Sequence, residues 1–241
     1  MNDGLSITTS IWRLGMMYII SQERIAFCNE SWIEDHSHIF GTLYYQDIFK
    51  CIHFHLPHLP FQAHLDLELV HLADSESRRV YSEMNTRNWW WDTQDQLLAG
   101  ATIVQVICAS DKTHLTNFSG NQHVWPLYLT ICDLRKDIRR TPTKCAWILV
   151  GLIPCPAKGA RNTDEAWHSA VGTLLSPLQN LDITGPGLKW DCADGFQRQC
   201  YPLLAAWVGD HPEQLMVAEV SYGSCPMCEM PKGAPMGYST I

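Results

Sequence analysis

The chain is short of the features that assign a protein at a glance. No apolar run approaches the ~20 residues that a membrane-spanning helix needs. The nearest, Ile11 to Ile20, is brief and broken by Arg13. It follows a polar N-terminus, and the segment lacks the layout of a secretory signal. A Gly-rich phosphate loop, a GxSxG elbow and an HExxH pair are all absent. Charge is sparse: charged residues make up 17% against 46% hydrophobic, which permits a sizeable core and argues against global disorder. Basic charge is in deficit, with 17 Lys and Arg against 25 Asp and Glu, for a net −8. A balance like that does not advertise a nucleic-acid partner. Any contact with phosphate must come from a local cluster.

The acidity sits in the first part of the chain. Residues 1–100 carry 6 Lys or Arg and 13 Asp or Glu; residues 101–241 carry 11 and 12. One cationic cluster stands out, with Arg135, Lys136, Arg139, Arg140 and Lys144 inside ten residues. It reads either as a solvated loop before a strand or as a contact to a DNA backbone, where such side chains release counterions.

The 10 cysteines are scattered rather than framed. With no secretory signal they read as reduced thiols, and the expected location is nuclear or cytoplasmic. Cys225-Pro-Met-Cys228 has the spacing of half a tetrahedral zinc site. Structural thiols and a redox pair are the alternatives, although the loop-like residues that follow do not suit a redox motif. Five histidines fall between His53 and His71. Pro57 and Pro60 break that element, and the spacing fits no helical ligand pair.

The secondary-structure pattern divides the chain in three. Residues 1–95 read as mostly helical or irregular. Residues 96–222 read as a core, and residues 223–241, which hold the CxxC, as a separate segment that the family resemblance described below implies is the start of a metal-binding insertion. Within the core, Ala101 to Cys108, Val124 to Cys132 and Cys145 to Ile153 read as strands. Phe118 to Gln122 reads as a turn. Thr163 opens a helix whose apolar positions repeat every three or four residues. Leu188 to Cys192 reads as extended, and a second helix is expected over Gln197 to Val208. The resulting order, β-β-β-α-β-α, is the opening of a ribonuclease-H-like α/β fold, although order alone fits several α/β domains.

The candidate chemistry lies in carboxylates that end elements far apart in sequence. Asp111 follows the first core strand, Asp194 follows the short extended piece, and Asp210 follows the expected second helix. Carboxylates held by strand ends are a common way to hold a divalent metal against phosphate. Each is also an ordinary residue for its loop.

Several blocks resemble the Plavaka-type transposases of fungal mobile elements. They are Asp111-Lys-Thr-His-Leu-Thr-Asn-Phe-Ser-Gly120, Trp125-Pro-Leu-Tyr-Leu-Thr-Ile131, Asp137-Ile-Arg-Arg140, Cys192-Ala-Asp-Gly-Phe196, Tyr201-Pro-Leu-Leu-Ala-Ala206, Asp210-His-Pro-Glu-Gln214 and Cys225-Pro-Met-Cys228. Leu59-Pro-Phe-Gln-Ala-His64, Tyr81-Ser-Glu-Met84 and Trp89-Trp-Trp-Asp92 resemble the same family upstream. The first and second blocks are similar, more distantly, to CACTA-type transposases. The resemblance implies a ribonuclease-H-like core and a DDE triad holding two Mg²⁺ or Mn²⁺ ions about 4 Å apart. It also implies double-stranded DNA as partner, both transposon ends and target, and allows a homo-oligomer. Asp111 matches the first carboxylate. Asp210 is favoured as the second, with Asp194 the competitor, and the CxxC matches a zinc-binding insertion. The third carboxylate of the family falls beyond Ile241, and Glu213, Glu219 and Glu229 lie too near the second Asp to replace it. The expectation is a C-terminally truncated core with little or no strand-transfer activity. The alternatives are a zinc-stabilised interaction domain for DNA or protein without catalysis, and an unrelated Cys/His enzyme.

Overall fold

The computed structural model describes residues 32–38, 40–114, 123–156, 160–221 and 224–226. In chain order the elements begin with β1 (Ile33–Asp35), β2 (Leu43–Tyr45) and α1 (Ile48–His53). A 3₁₀ turn (Leu59–His64), the small hairpin β3 (Leu72–Ala73) and β4 (Arg79–Val80), and α2 (Asn88–Gln94) follow. The central region contains β5 (Thr102–Ser110), β6 (Thr113–His114), β7 (His123–Ile131), α3 (Lys136–Arg139) and β8 (Ile148–Pro154). The chain continues through α4 (Thr163–Gln179), β9 (Leu188–Asp191), β10 (Gln197–Val208) and α5 (His211–Val217).

One mixed sheet of eight strands, ordered β1-β2-β8-β7-β5-β10-β9 with β6 on β7, organises the described residues. The architecture is α/β. β5 is apolar along nearly its whole length because it lies in the middle, antiparallel to β7 on one side and parallel to β10 on the other. One side of the sheet offers Val104, Val106 and Cys108 from β5, with Leu127, Leu129 and Ile131 from β7. Against them pack α1 and α4. The helix α4 presents Trp167, Ala170, Val171, Leu174 and Leu175, a stripe spaced three and four residues apart. Its contact is close at Gly151 of β8, where an added Cβ would meet the Leu174 side chain at 3.0 Å. A side chain added there would require Leu174 to give way by a few tenths of an ångström.

Among the described residues, the segment that precedes β3 packs into the core. β2 pairs with β8, and Ile48, Ile52, Leu56 and Phe61 share the core cluster with β5 and β7. Up to residue 95 the described residues are short strands, turns and helices of at most seven residues, rather than a mostly helical region. The histidine-rich stretch is partly spent on this packing. His55 is fully buried, its Nε2 is 2.9 Å from the Ala146 carbonyl oxygen, and burial holds its pKa down.

One expected element is corrected. Gln197 to Val208 is a strand, β10, and not a helix. Pro202 lies in its middle, where a helix would lose a hydrogen bond and take a ring clash costing ~3 kcal/mol. In the sheet, β9 pairs with β10 only as far as Cys200, so Pro202 has a neighbouring strand on one edge alone. The expected turn at residues 118–122 lies outside the described residues. Among the described residues, no helix is long and apolar enough to cross a membrane.

Candidate active site

The parallel pairing of β5 and β10 brings two of the three candidate aspartates to one place. Ala109 is in register with Val208, and each strand leaves the ladder there. Asp111 and Asp210 lie two residues past that pair, at the same end of adjacent strands. A bulge between Leu204 and Ala206 shifts the register of β10 by one residue. Without it Asp210 would be level with Lys112 rather than Asp111, and bulges beside sites commonly re-aim side chains in this way.

Both aspartates are exposed and line one open cleft of about 840 Å³. The cleft also takes in Tyr128, Arg140, Pro142 and Trp147. Asp210 is anchored as well as exposed. It caps α5, accepting the backbone N–H of Glu213 at 2.9 Å on Oδ1. The D-x-x-E spacing from Asp210 to Glu213 is the sequence signal for this helix start.

Behind the pair sits a third carboxyl. Glu213 is buried, and Ser110 Oγ donates a hydrogen bond to its Oε1. Burial, then the negative charges of Asp210 and Asp111, push its pKa up to about 8. Its Oε2 makes no hydrogen bond among the described residues; the Trp207 indole pulls the pKa the other way without reaching hydrogen-bond geometry.

The protein-family model described as Plavaka transposase matches residues 26–237. The chain belongs to the Plavaka transposase family. No curated protein and no solved structure matches it.

Asp194 is kept away from this cleft. Asp194 lies in the turn that enters β10, so all twelve residues of that strand separate it from Asp210. Its carboxylate is engaged by Arg198, Nη1 to Oδ1 at 2.8 Å and Nη2 to Oδ2 at 2.6 Å, which holds its pKa below the ordinary value. It faces a different cleft, of about 300 Å³, beside Asp66 and Glu68. The structure therefore joins Asp111 to Asp210 and leaves Asp194 to brace a turn.

The five clustered cations are not equivalent. Arg139 is held by Glu83 at 3.4 Å and donates through Nε to the Leu134 carbonyl at 2.6 Å. Lys136 also reaches Glu83, at 3.6 Å, and Arg135 reaches Asp137 at 3.5 Å. Arg140 and Lys144 are exposed and make no ion pair among the described residues. Of the two, Arg140 lines the cleft of the aspartate pair. Replacing Arg140 with Ala is expected to weaken duplex binding and to lower the slope of log K against log salt by about one. Replacing Arg139 with Ala should instead lower the unfolding midpoint, because it removes a bond to a buried carbonyl. Parallel salt titrations and urea melts distinguish the two.

Cys225 is half-buried, while Cys228 lies outside the described residues. Burial pushes the thiols of Cys108, Cys132, Cys155 and Cys200 up to about 12, so none of these four is an activated nucleophile. The involvement of Glu83 and Glu213 escaped the sequence reading. Glu83 is remote in sequence from the cations it binds, and Glu213 stands so near Asp210 in sequence that it looks redundant there.

Proposed function

We propose that this transposase domain uses Asp111 and Asp210 to hold a divalent metal, Mg²⁺ or Mn²⁺, against the phosphodiester of duplex DNA. The observation that carries the reading is the exit of two exposed aspartates from neighbouring parallel strands onto one cleft. The order β8-β7-β5-β10, three antiparallel strands followed by one parallel to the first, supports a ribonuclease-H-like core.

The donor set suits a hard cation. Both side chains offer carboxylate oxygens, one of Asp210's already fixed by the helix N–H. Mg²⁺ is commonly held by one or two carboxylates, with waters and substrate phosphate completing its shell. Glu213, whose pKa burial raises most, is pushed up further by their negative charges, a field that a dication would relieve. A bound metal would supply an activated water and charge neutralisation at the phosphate. Asp111 and Asp210 would orient it, and Arg140 at the rim would meet the DNA backbone. Among the described residues no third exposed acid joins them at the cleft. The reading therefore assigns metal and phosphate binding to the pair, with strand cleavage at background level.

Duplex affinity with and without Mg²⁺ tests this. Wild type should bind more tightly with Mg²⁺, and the Asp111→Asn, Asp210→Asn double variant should be indifferent to it. Wild-type binding that ignores Mg²⁺ would overturn the reading and favour a DNA-interaction domain without catalysis. Robust Mg²⁺-dependent nicking of plasmid DNA, lost in Asp111→Ala, would overturn the assignment of background cleavage.

A further inference from the structure

Past Ala109 and Val208 the β5–β10 ladder ends. Ser110 stays paired with Leu127 of β7, but main-chain pairing between β5 and β10 no longer sets the spacing of Asp111 and Asp210. A side-chain link crosses at that point. Ser110, the residue before Asp111, donates its hydroxyl to the carboxyl of Glu213. Glu213 in turn gives its backbone N–H to Asp210 Oδ1 at 2.9 Å. The chain of contacts runs Asp111, Ser110, Glu213, Asp210, and each step is either a covalent neighbour or a hydrogen bond.

The link is enclosed. Ser110 is 4% exposed and Glu213 5%. Gly209, just before Asp210, lets the Glu213 carboxyl approach: an added Cβ would lie 3.0 Å from its Oε2 and 3.1 Å from two of its carbons. A buried carboxyl is costly to keep without a purpose in packing or geometry. This one is placed where the spacing of two metal-binding groups is decided.

We propose that Glu213 is a positioning residue, which through Ser110 locks the exits of β5 and β10 together and so sets the spacing of the Asp111 and Asp210 carboxylates. The inference rests on the proposed metal-holding role of those aspartates. It assigns Glu213 no direct contact with metal or DNA. The bridge needs an oxygen that accepts the Ser110 hydroxyl, and it does not need a negative charge. Gln at 213 supplies that oxygen in nearly the same shape, whereas Ala does not.

Mn²⁺ affinity, read from the free-ion signal by electron paramagnetic resonance, tests the proposal without relying on cleavage. Outer-shell groups that orient metal ligands typically contribute about 10–100-fold in affinity, so Ser110→Ala and Glu213→Ala are each expected to weaken Mn²⁺ binding in that range. Glu213→Gln should restore binding to within about threefold of wild type. Asp111→Asn should remove it. If Ser110→Ala and Glu213→Ala bind like wild type while Asp111→Asn does not, the aspartate site stands and the bridge is refuted. Glu213→Gln as weak as Glu213→Ala would show that charge is what matters and would also refute it. If Asp111→Asn binds like wild type, both the site and the bridge fall. Should Glu213→Ala not fold, Ser110→Ala alone carries the comparison, since it removes one hydroxyl.

Discussion

Replacing Asp210 with Asn is expected to lower Mn²⁺ affinity by more than about a hundredfold, and Asp194→Asn to leave it unchanged. The size follows from the position of each group. Losing an outer-shell partner of a metal ligand costs about 10–100-fold, so losing a charged ligand itself should exceed that range. Asn at 210 can still accept the Glu213 N–H and cap α5, so the fold should survive the exchange. Asp194 differs in every respect that matters. It is at the other end of β10, it is already paired with Arg198, and it faces another cleft. The two substitutions are identical in chemistry, and their contrast depends only on where the strand delivers each residue. Equal losses from both, measured by Mn²⁺ titration, would contradict the assignment.

The second large effect concerns stability and pH. Asp133 is 1% exposed; its Oδ2 accepts the Gln105 N–H at 2.8 Å, and its Oδ1 makes no hydrogen bond among the described residues. Burial raises its pKa from the ordinary 3.8 to about 7, against the opposing pull of Arg139, and the charge of Asp66 adds to the rise. The folded protein thus keeps a proton that the unfolded chain releases above about pH 4. Stability from this group is full below that pH and is lost as pH rises toward about 7. The loss is at most on the order of 4 kcal/mol. Asp133→Asn keeps an acceptor for Gln105 and carries no charge at any pH. The variant should therefore lose much less stability than wild type between about pH 4 and about pH 7. Glu213, raised from 4.5 to about 8, acts in the same direction, so some slope should remain. Urea midpoints across that range provide the check, and a variant with the wild-type slope would refute the account of Asp133.

The sequence was most legible where one signal dominated. β5 and β7 announce themselves as long apolar or β-branched runs, and α4 as a stripe of apolar residues on a helical period. β10 was harder. Its Leu203-Leu204-Ala205-Ala206 centre favours a helix locally, and what makes it a strand is pairing with β5, about a hundred residues away. Pro202 was the one local sign against a helix. β1 and β2 are three residues each, too short for any period to show, so their place in the sheet was invisible.

The candidate site divides in the same way. That Asp111 ends a strand could be seen directly. That Asp210 stands beside it depends on the parallel register and on the bulge before Ala206, neither of which has a local signature. Glu213 shows the opposite difficulty. Closeness in sequence to Asp210 made it look redundant, yet the turn of α5 directs its side chain back under Ser110 of another strand. Short-range spacing decides whether two groups can meet, and the surrounding sheet decides what they meet.

Diffraction from a crystal soaked in Mn²⁺ gives the most direct test. The account predicts an anomalous peak between the carboxylates of Asp111 and Asp210, in the cleft beside Arg140. A peak at Asp194 instead, or none at the Asp111–Asp210 pair with the metal saturating, would contradict it.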